Sequence, residues 1–389
     1  MALDLAFWNL RHSLARTLLS LSGIGIAITL IFVQMGFQGA IENTANIIYG
    51  KMDFDLLLRS RDYLHFVDAR QFPRSLFDEL ESWSDIQSVR PLHVTLGTWR
   101  HPEGENLRGL VILGVDPSQP VFGDELIARD IPRLTSDEFV LVDRKSHPEF
   151  GPRDRRRFGD ADIGVTTDIF GKRVEVVGLF EMGAGLTANG AVMTSEAGFW
   201  RLVPHSDGRH VSFGLIKLKP GVDIETFQQA ATQELTRSAH AESVELLNRT
   251  QVVARERHRW IAETPIGFIF MISVGISFIV GAAIVYMVLA TDVANRLSEY
   301  ATLKAMGYSN LFLSGVVLRQ AFYLSVLSFV PALVVSLGIY HITALLANVP
   351  IFMTWSRLVF VMGLSLGMCG MSGALALRKL YQAQPAELF

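Results

Sequence analysis

The sequence predicts an α-helical membrane protein with four transmembrane helices in a 1+3 arrangement and one large mixed α/β domain outside the bilayer. Three observations carry that prediction. Half of the 389 residues are hydrophobic and only 19% are charged, against roughly 25% in soluble domains, and the mean hydropathy is +0.30. Four uncharged stretches each reach the roughly 20 apolar residues that a bilayer crossing needs. Between the first and second of them, residues 42–263 alternate strand-like and helix-like runs punctuated by turn residues.

Residues 1–16 open the chain with Leu3, Ala6, Leu10 and Leu14 at spacings of three and four, the mark of an amphipathic helix. Trp8 beside Arg11 and His12 suits a helix lying in the inner interface; the same pattern also fits an early extension of the first span. That span, 17–41, runs between Arg16 and Glu42. Gly39-Ala40 would suit the exit of a cleaved signal, but the apolar stretch far exceeds a signal core of roughly 7–15 residues. We therefore read it as an uncleaved anchor.

In the 42–263 domain, strands are expected at FDLLLRS (54–60), VRPLHVTLGTW (89–99), LRGLVILGV (107–115), EFVLVD (138–143), KRVEVVGLF (172–180) and VSFGLIKLK (211–219). Helices are expected at PRSLFDELESW (73–83) and at 223–239, where Asp223 follows Pro220-Gly221 as N-cap. The charged run ARERHRWIAETP is expected to continue as helix into the second span, 264–291. A link at 292–319, a third span at 320–347, a short loop at 348–357, a fourth span at 358–377 and a tail at 378–389 complete the order.

Orientation follows from the basic flanks. Arg11, Arg16, Arg296, Lys304, Arg319, Arg378 and Lys379 all fall on one side, and the loop between spans three and four offers only Arg357. Both termini and the 292–319 link are expected in the cytoplasm, with the large domain outside.

The absences narrow the function. A net charge of −3 gives no support to a nucleic-acid partner. Cys369 is the single cysteine, so the chain holds neither an internal disulfide nor a cysteine-based metal site. The nucleotide-binding pattern G-x-x-x-x-G-K-[ST], H-E-x-x-H and G-x-S-x-G do not occur. GAGLTANG (183–190) is glycine-rich without the lysine or the dinucleotide-binding spacing, and reads as a turn. The ten histidines lack ligand spacing, and Asp53, Asp55, Glu79 and Glu81 read as surface carboxylates. No catalytic, cofactor or metal residue is assigned. Arg153, Arg155, Arg156 and Arg157 fit either a docking patch for acidic partners or lipid headgroups, or a solvated loop balanced by Asp154 and Asp160. Within the spans, Gln34, Gln38 and His341 are the notable polar groups, all toward the outer leaflet. The fourth span carries Gly363, Gly367 and Gly370, small residues that suit close helix packing, either within the bundle or across a dimer seam.

The link SEYATLKAMGYSN (298–310) is unlike a plain connector. Taken as a helix over 296–309, it places Leu303 and Met306 on one face and Ala301 and Ala305 on a thin second one. Arg296, Glu299, Tyr300, Thr302 and Lys304 complete the candidate coupling helix, and Gly307 is its natural stop. Such a helix suits a contact with a soluble partner; it equally suits a simple cap on the third span.

The residues EYATLKAMG (299–307) resemble the stretch after the second span in permeases of the MacB/FtsX, or type VII, superfamily of ABC transporters. FWNLRHSLARTLLSLSGIGIAIT (7–29) is similar to that family's approach to the first span, and QPAELF (384–389) to its C-terminal tail. The plan of one span, an outer domain and three spans matches along the whole chain, and the sequence looks most like the DevC permeases of DevBCA-type exporters. The resemblance implies an outer domain of the MacB periplasmic-core type in a bacterial inner membrane. It implies a homodimer paired with a separate DevA-like ATPase subunit that holds ATP and Mg, a DevB-like membrane-fusion adaptor and a TolC-like outer-membrane channel. Its mechanism would be mechanotransmission, in which the ATPase moves the 296–309 helix and the outer domains drive out a lipid, a glycolipid or another amphiphile. Within the same fold, regulation of cell-wall hydrolases as in FtsX, or lipoprotein release as in the Lol permeases, are the alternatives. A ligand sensor and a membrane enzyme stand further off, for want of a sizeable cytoplasmic signalling domain and of catalytic motifs.

Overall fold

The computed structural model describes residues 14–104, 106–152, 156–183, 189–237, 243–347 and 351–382. Most of the expected amphipathic N-terminal helix with Trp8, Arg11 and His12, the QPAELF ending, residues 153–155 of the arginine cluster and most of GAGLTANG lie outside them. The chain divides into two compact units.

The first unit comprises Met1–Ala40, Ile261–Ala347 and Ile351–Phe389. Four of its helices are long and apolar enough to cross a membrane, over Thr17–Ala40, Gly267–Asn295, Asn310–Leu346 and Trp355–Leu377. They belong to α1 (Leu14–Lys51), α7 (Pro265–Asn295), α9 (Asn310–Ala347) and α10 (Trp355–Gln382). Ile24, Ile28, Phe32, Val285, Leu289, Leu324, Val361 and Met368 form their shared core. Hydrocarbon gives no hydrophobic drive between helices, so packing and polar contacts must hold them. Gly281 supplies the first: a side-chain carbon there would sit 2.9 Å from Ala27 Cβ. Ser325 and Ser365 share a hydrogen bond of 2.7 Å, Ser372 donates to the Ala282 carbonyl at 2.7 Å, and the Tyr340 hydroxyl donates to the Phe32 carbonyl. Gly39 and Ala40 lie inside the unbroken α1, with Ala40 fully buried.

Two expectations are corrected. The run at 254–265 does not continue as helix into the second span. The helix α6 (Arg249–His258) passes into a wider turn, Arg259–Glu263, and Thr264 then adopts an extended conformation, φ −99 and ψ 148. Pro265 is the cause: it disfavours helical geometry in the residue before it, yet suits the first position of a new helix. The Thr264 hydroxyl caps that helix by accepting from Gly267 N–H at 3.2 Å. The third membrane helix also begins earlier than expected, at Asn310 rather than Gln320.

The second unit, Ile41–Trp260 with residues 348–350, holds the sheet. Its strands are β1 (Leu56–Ser60), β2 (Phe72–Pro73), β3 (Ile86–Arg100), β4 (Leu107–Val115), β5 (Phe139–Asp143), β6 (Thr166–Ile169), β7 (Lys172–Phe180), β8 (Ala191–Ser195), β9 (His210–Val211), β10 (Phe213–Leu218) and β11 (Val244–Asn248). Nine of them make one sheet in the order β11-β1-β10-β3-β4-β8-β5-β7-β6, and β2 pairs with β9. β4 with β8 and β5 with β7 run parallel; the other neighbours are antiparallel. A further pairing, Trp99 with Ile169, brings β6 back against β3, so six strands curl into a ring. Closure of this kind removes the exposed edge of β6, and β11 remains the edge of the sheet.

Helices α2 (Leu76–Glu81), α3 (Glu125–Ala128), α4 (Glu196–Leu202), α5 (Ile224–Arg237) and α6 cover the sheet. Both faces are buried. Val111 and Leu113 enter one core while Leu110 and Ile112 enter another, and Leu57 parts in the same way from Leu56 and Leu58. This two-sided burial explains why these strands read as near-continuous apolar runs. The expected cap of α5 is in place: Asp223 accepts from Thr226 N–H at 2.8 Å, after Gly221 at φ +90. The capping box that starts α6, Asn248 with Gln251, was present in the sequence as N-x-x-Q but is not among the signals read above.

A buried polar cluster ties α1, β1 and α6 within this unit. Tyr49 and Tyr63 share a hydrogen bond of 2.8 Å, and Tyr63 donates to Glu256 at 2.7 Å. Trp260 Nε1 donates to the other Glu256 oxygen at 3.1 Å, and Arg59 lies 3.8 Å away. Burial raises the Glu256 carboxyl above the ordinary glutamate range, against the opposing pull of Tyr63 and Arg59. The folded state therefore holds this proton more tightly than the unfolded chain. The stability it contributes is greatest at low pH and declines as pH rises above the unfolded value of about 4.3. In the full chain in detergent, followed by tryptophan fluorescence, Glu256→Gln is expected to flatten the fall in thermal midpoint with rising pH. Parallel curves for wild type and variant would refute this.

Candidate functional site

The link between the second and third membrane helices is built by two breaks. α7 ends at Asn295, and Arg296 leaves helical geometry at φ −108 and ψ 17. The helix α8 then covers Leu297–Ala305, shorter than the expected 296–309. Its end is a Schellman closure. Tyr308 N–H bonds the Leu303 carbonyl at 3.1 Å and Gly307 N–H bonds the Lys304 carbonyl at 3.1 Å. Gly307 takes φ +93, a conformation that costs any residue with a Cβ. Ser309 turns the chain into α9 by accepting from Phe312 N–H at 3.3 Å.

The faces of α8 differ from the expected ones. Tyr300 and Ala301 are buried, and Tyr300 packs with Leu297 and Leu303 against Val293, Leu313, Val317 and Leu377. Ala301 is therefore part of the inner face, whereas Ala305 is exposed, so the pair presents no common outer surface. Leu303 likewise parts from Met306, which is 64% exposed. The physical reason is the tyrosine: its ring is the largest apolar payload on the helix, and seating it turns its neighbour Ala301 inward. Ser298, Glu299, Thr302, Ala305 and Met306 form the surface that α8 offers, with Lys304 half-buried at its rim.

Beneath the helix lies a polar group absent from the candidate residues read above. Asp292, in the last turn of α7, is buried; one carboxylate oxygen accepts from Gln320 Nε2 at 2.8 Å and the other lies 3.3 Å from Arg296 Nε. Arg296 also reaches Glu299 at 3.7 Å. A single carboxylate thus joins the end of the second membrane helix, the break at Arg296 and the third membrane helix. Burial, with the Asp292 charge adding to it, pushes the Tyr300 hydroxyl up to about 12, and that hydroxyl has no hydrogen-bond partner among the described residues. The signal was available in sequence: an acid in the last turn of one apolar run and an amide at the head of the next.

Other candidates resolve more simply. Arg156 pairs with Asp162 at 2.7 Å and Asp160 pairs with Arg144, so these charges hold a loop together. Among the described residues Gly363, Gly367 and Gly370 meet nothing within 4 Å where a Cβ would stand; the glycine of α10 that does is Gly373, 3.3 Å from Ala321. Gln34 and Gln38 are half-buried, and His341 is exposed.

Removing the Asp292 carboxylate strands both of its partners. Asp292→Ala is expected to cost about 3–5 kcal/mol of bundle stability, the range for breaking a buried charged pair, measured as a loss of thermal midpoint in detergent. A change below about 1 kcal/mol would show the carboxylate to be dispensable.

Comparison with known proteins agrees with this architecture. Residues 270–385 match the FtsX-like permease C-terminal family, and residues 17–234 match the MacB-like periplasmic core domain. Among solved structures, the periplasmic region of MacB from Actinobacillus actinomycetemcomitans is similar at 13% identity and a TM-score of 0.37, over 54% of this chain and 94% of that one. The extracellular domain of the noncanonic ABC-type transporter YknZ from Gram-positive bacteria is similar at 15% identity and a TM-score of 0.32, over 49% and 100%. A domain of a permease protein from Porphyromonas gingivalis is similar at 15% identity and a TM-score of 0.34, over 50% and 91%. Among curated proteins no relative matches. The two family matches together take in the spans, the link and the greater part of the outer domain, and on them the chain belongs to the MacB/FtsX family of ABC transporter permeases.

Proposed function

We propose that this chain is the permease subunit of a DevC-type exporter, working as a homodimer with a separate ABC ATPase. The observation that carries the reading is the construction of α8. It is stopped at both ends, its inner face is anchored through Tyr300, and it is tied at its root to two membrane helices through Asp292. A rigid helix anchored in this way turns a push on its outer surface into movement of the second and third spans rather than into bending of the link. The face formed by Ser298, Glu299, Thr302, Ala305 and Met306 is where the ATPase bears, with both termini on that same cytoplasmic side. ATP and Mg belong to the ATPase.

In this reading ATP-driven closure of the ATPase moves α8, the spans carry the motion, and the outer domains drive a lipid, a glycolipid or another amphiphile toward a membrane-fusion adaptor and a TolC-like channel. The basic flanks Arg296, Lys304 and Arg319 support the orientation. The open glycine face of α10 supports a seam between two copies, since small residues there let helices approach closely.

Two experiments test this. A mild-detergent pull-down of the tagged chain should recover an ATPase without spans of its own, together with an adaptor. Met306→Asp should lose the ATPase while leaving stability within about 0.5 kcal/mol of wild type, as expected for an exposed site. Retention of the ATPase by that variant removes α8 from the contact, and a cell-wall hydrolase or a lipoprotein in place of the adaptor moves the assignment to the FtsX-like or Lol-like task. Gly367→Ile should shift the chain from dimer to monomer in native mass spectrometry without unfolding it, because its side chain enters open space. An unchanged dimer would place the seam elsewhere.

A further inference from the structure

Arg357, in the first turn of α10, is a charge that the reading above does not use. It is 8% exposed. Its Nη1 donates to the Phe352 carbonyl at 2.5 Å, and Thr354 Oγ1 accepts from its backbone N–H at 3.3 Å. The guanidinium lies 5.8 Å from the centre of the Tyr340 ring. Two glycines of α1 make the room: a Cβ at Gly39 would collide with the guanidinium, and one at Gly36 with the Tyr340 ring. The first, third and fourth membrane helices therefore meet around one cation.

No carboxylate pairs with it among the described residues. Arginine does not shed its proton, so the cost of burying its charge cannot be relieved by neutralisation. The partners it does have, the Phe352 carbonyl and the Tyr340 side chain, are neutral, and ionisable groups at membrane level are normally paired with an opposite charge. The chain around it is lipid-facing in character: Phe352 is 60%, Trp355 77%, Val359 54% and Phe360 53% exposed. A tryptophan at the head of a span is the usual marker of headgroup depth. A planar cation at that depth is matched by a phosphate with two oxygens to offer.

We propose that Arg357 binds the phosphate of a membrane phospholipid, held where the first, third and fourth spans meet. The exposed Phe352 and Trp355 favour a phosphate that carries acyl chains over a free anion, because they offer it apolar surface. This bound lipid is a fixed part of the bundle, and the assignment stands whatever molecule the transporter moves.

The test uses the full chain in mild detergent, titrated with phosphatidylglycerol or with diacylglycerol of the same acyl chains and read by native mass spectrometry. Wild type is expected to retain one phosphatidylglycerol per chain, Arg357→Lys to retain it more weakly, and Arg357→Gln to lose it. Diacylglycerol should be retained by none. Equal retention by wild type and Arg357→Gln, or equal retention of the two lipids by wild type, would overturn the proposal. Displacement of the lipid by millimolar inorganic phosphate would overturn the lipid assignment in favour of a free-phosphate site. Should the glutamine variant fail to fold, wild type alone decides. Brominated phosphatidylglycerol must quench the part of the fluorescence lost in Trp355→Phe more strongly than brominated diacylglycerol, and equal quenching would refute the site.

Discussion

Inside hydrocarbon there is no water to satisfy a backbone amide or carbonyl, and the membrane unit is organised around that constraint. Each of its helices must close its own hydrogen bonds, and every place where the chain stops being helical must supply substitutes. The substitutes are visible at the ends of the spans. Thr264 caps the helix that Pro265 begins, a Schellman closure ends the link helix at Gly307, and Ser309 opens the third membrane helix. Side chains follow the same logic, since Ser325, Ser365, Ser372 and Tyr340 spend their hydroxyls on one another or on carbonyls of neighbouring helices. Asp292 is the costliest of these groups to bury, and it is answered by Gln320 and Arg296 together.

The sheet unit solves the corresponding problem in water. Its long strands are apolar on both faces, which would make any open edge a template for another chain. The return of β6 to β3 through Trp99 and Ile169 closes part of the sheet on itself. Helices cover what remains, so the runs of Leu and Val are divided among three cores.

How much of this was legible in the sequence depends on length and on side-chain economy. The four spans stood out because hydropathy sums over many residues, and β4 and β7 were read to the residue because their apolar runs are long and bounded by turns. β6, β8 and β11, each of four or five residues, were not read, because their place is set by the strands they pair with rather than by a pattern of their own. At the link, the glycine stop was legible because left-handed geometry names its residue. The faces of α8 were not, because which side turns inward is decided by where Tyr300 finds space among Val293, Leu313 and Leu377, residues far apart in the chain. Asp292 and Gln320 were visible as the polar ends of two spans, but their pairing was not, because only the fold brings them together.

The pairing of β1 carries a consequence for how the outer domain is made. Leu56, which follows soon after the first span, pairs with Ile216 on one side and Asn248 on the other. Synthesis and translocation therefore deliver this strand long before either neighbour exists. It must wait as a bare apolar segment while the rest of the domain passes through, and non-local pairings of this kind are slow to close. The partners that end the wait, β10 and β11, are completed just before the chain returns to the membrane. The domain is thus locked only when its second anchor is about to form, which ties completion of the fold to completion of the insertion.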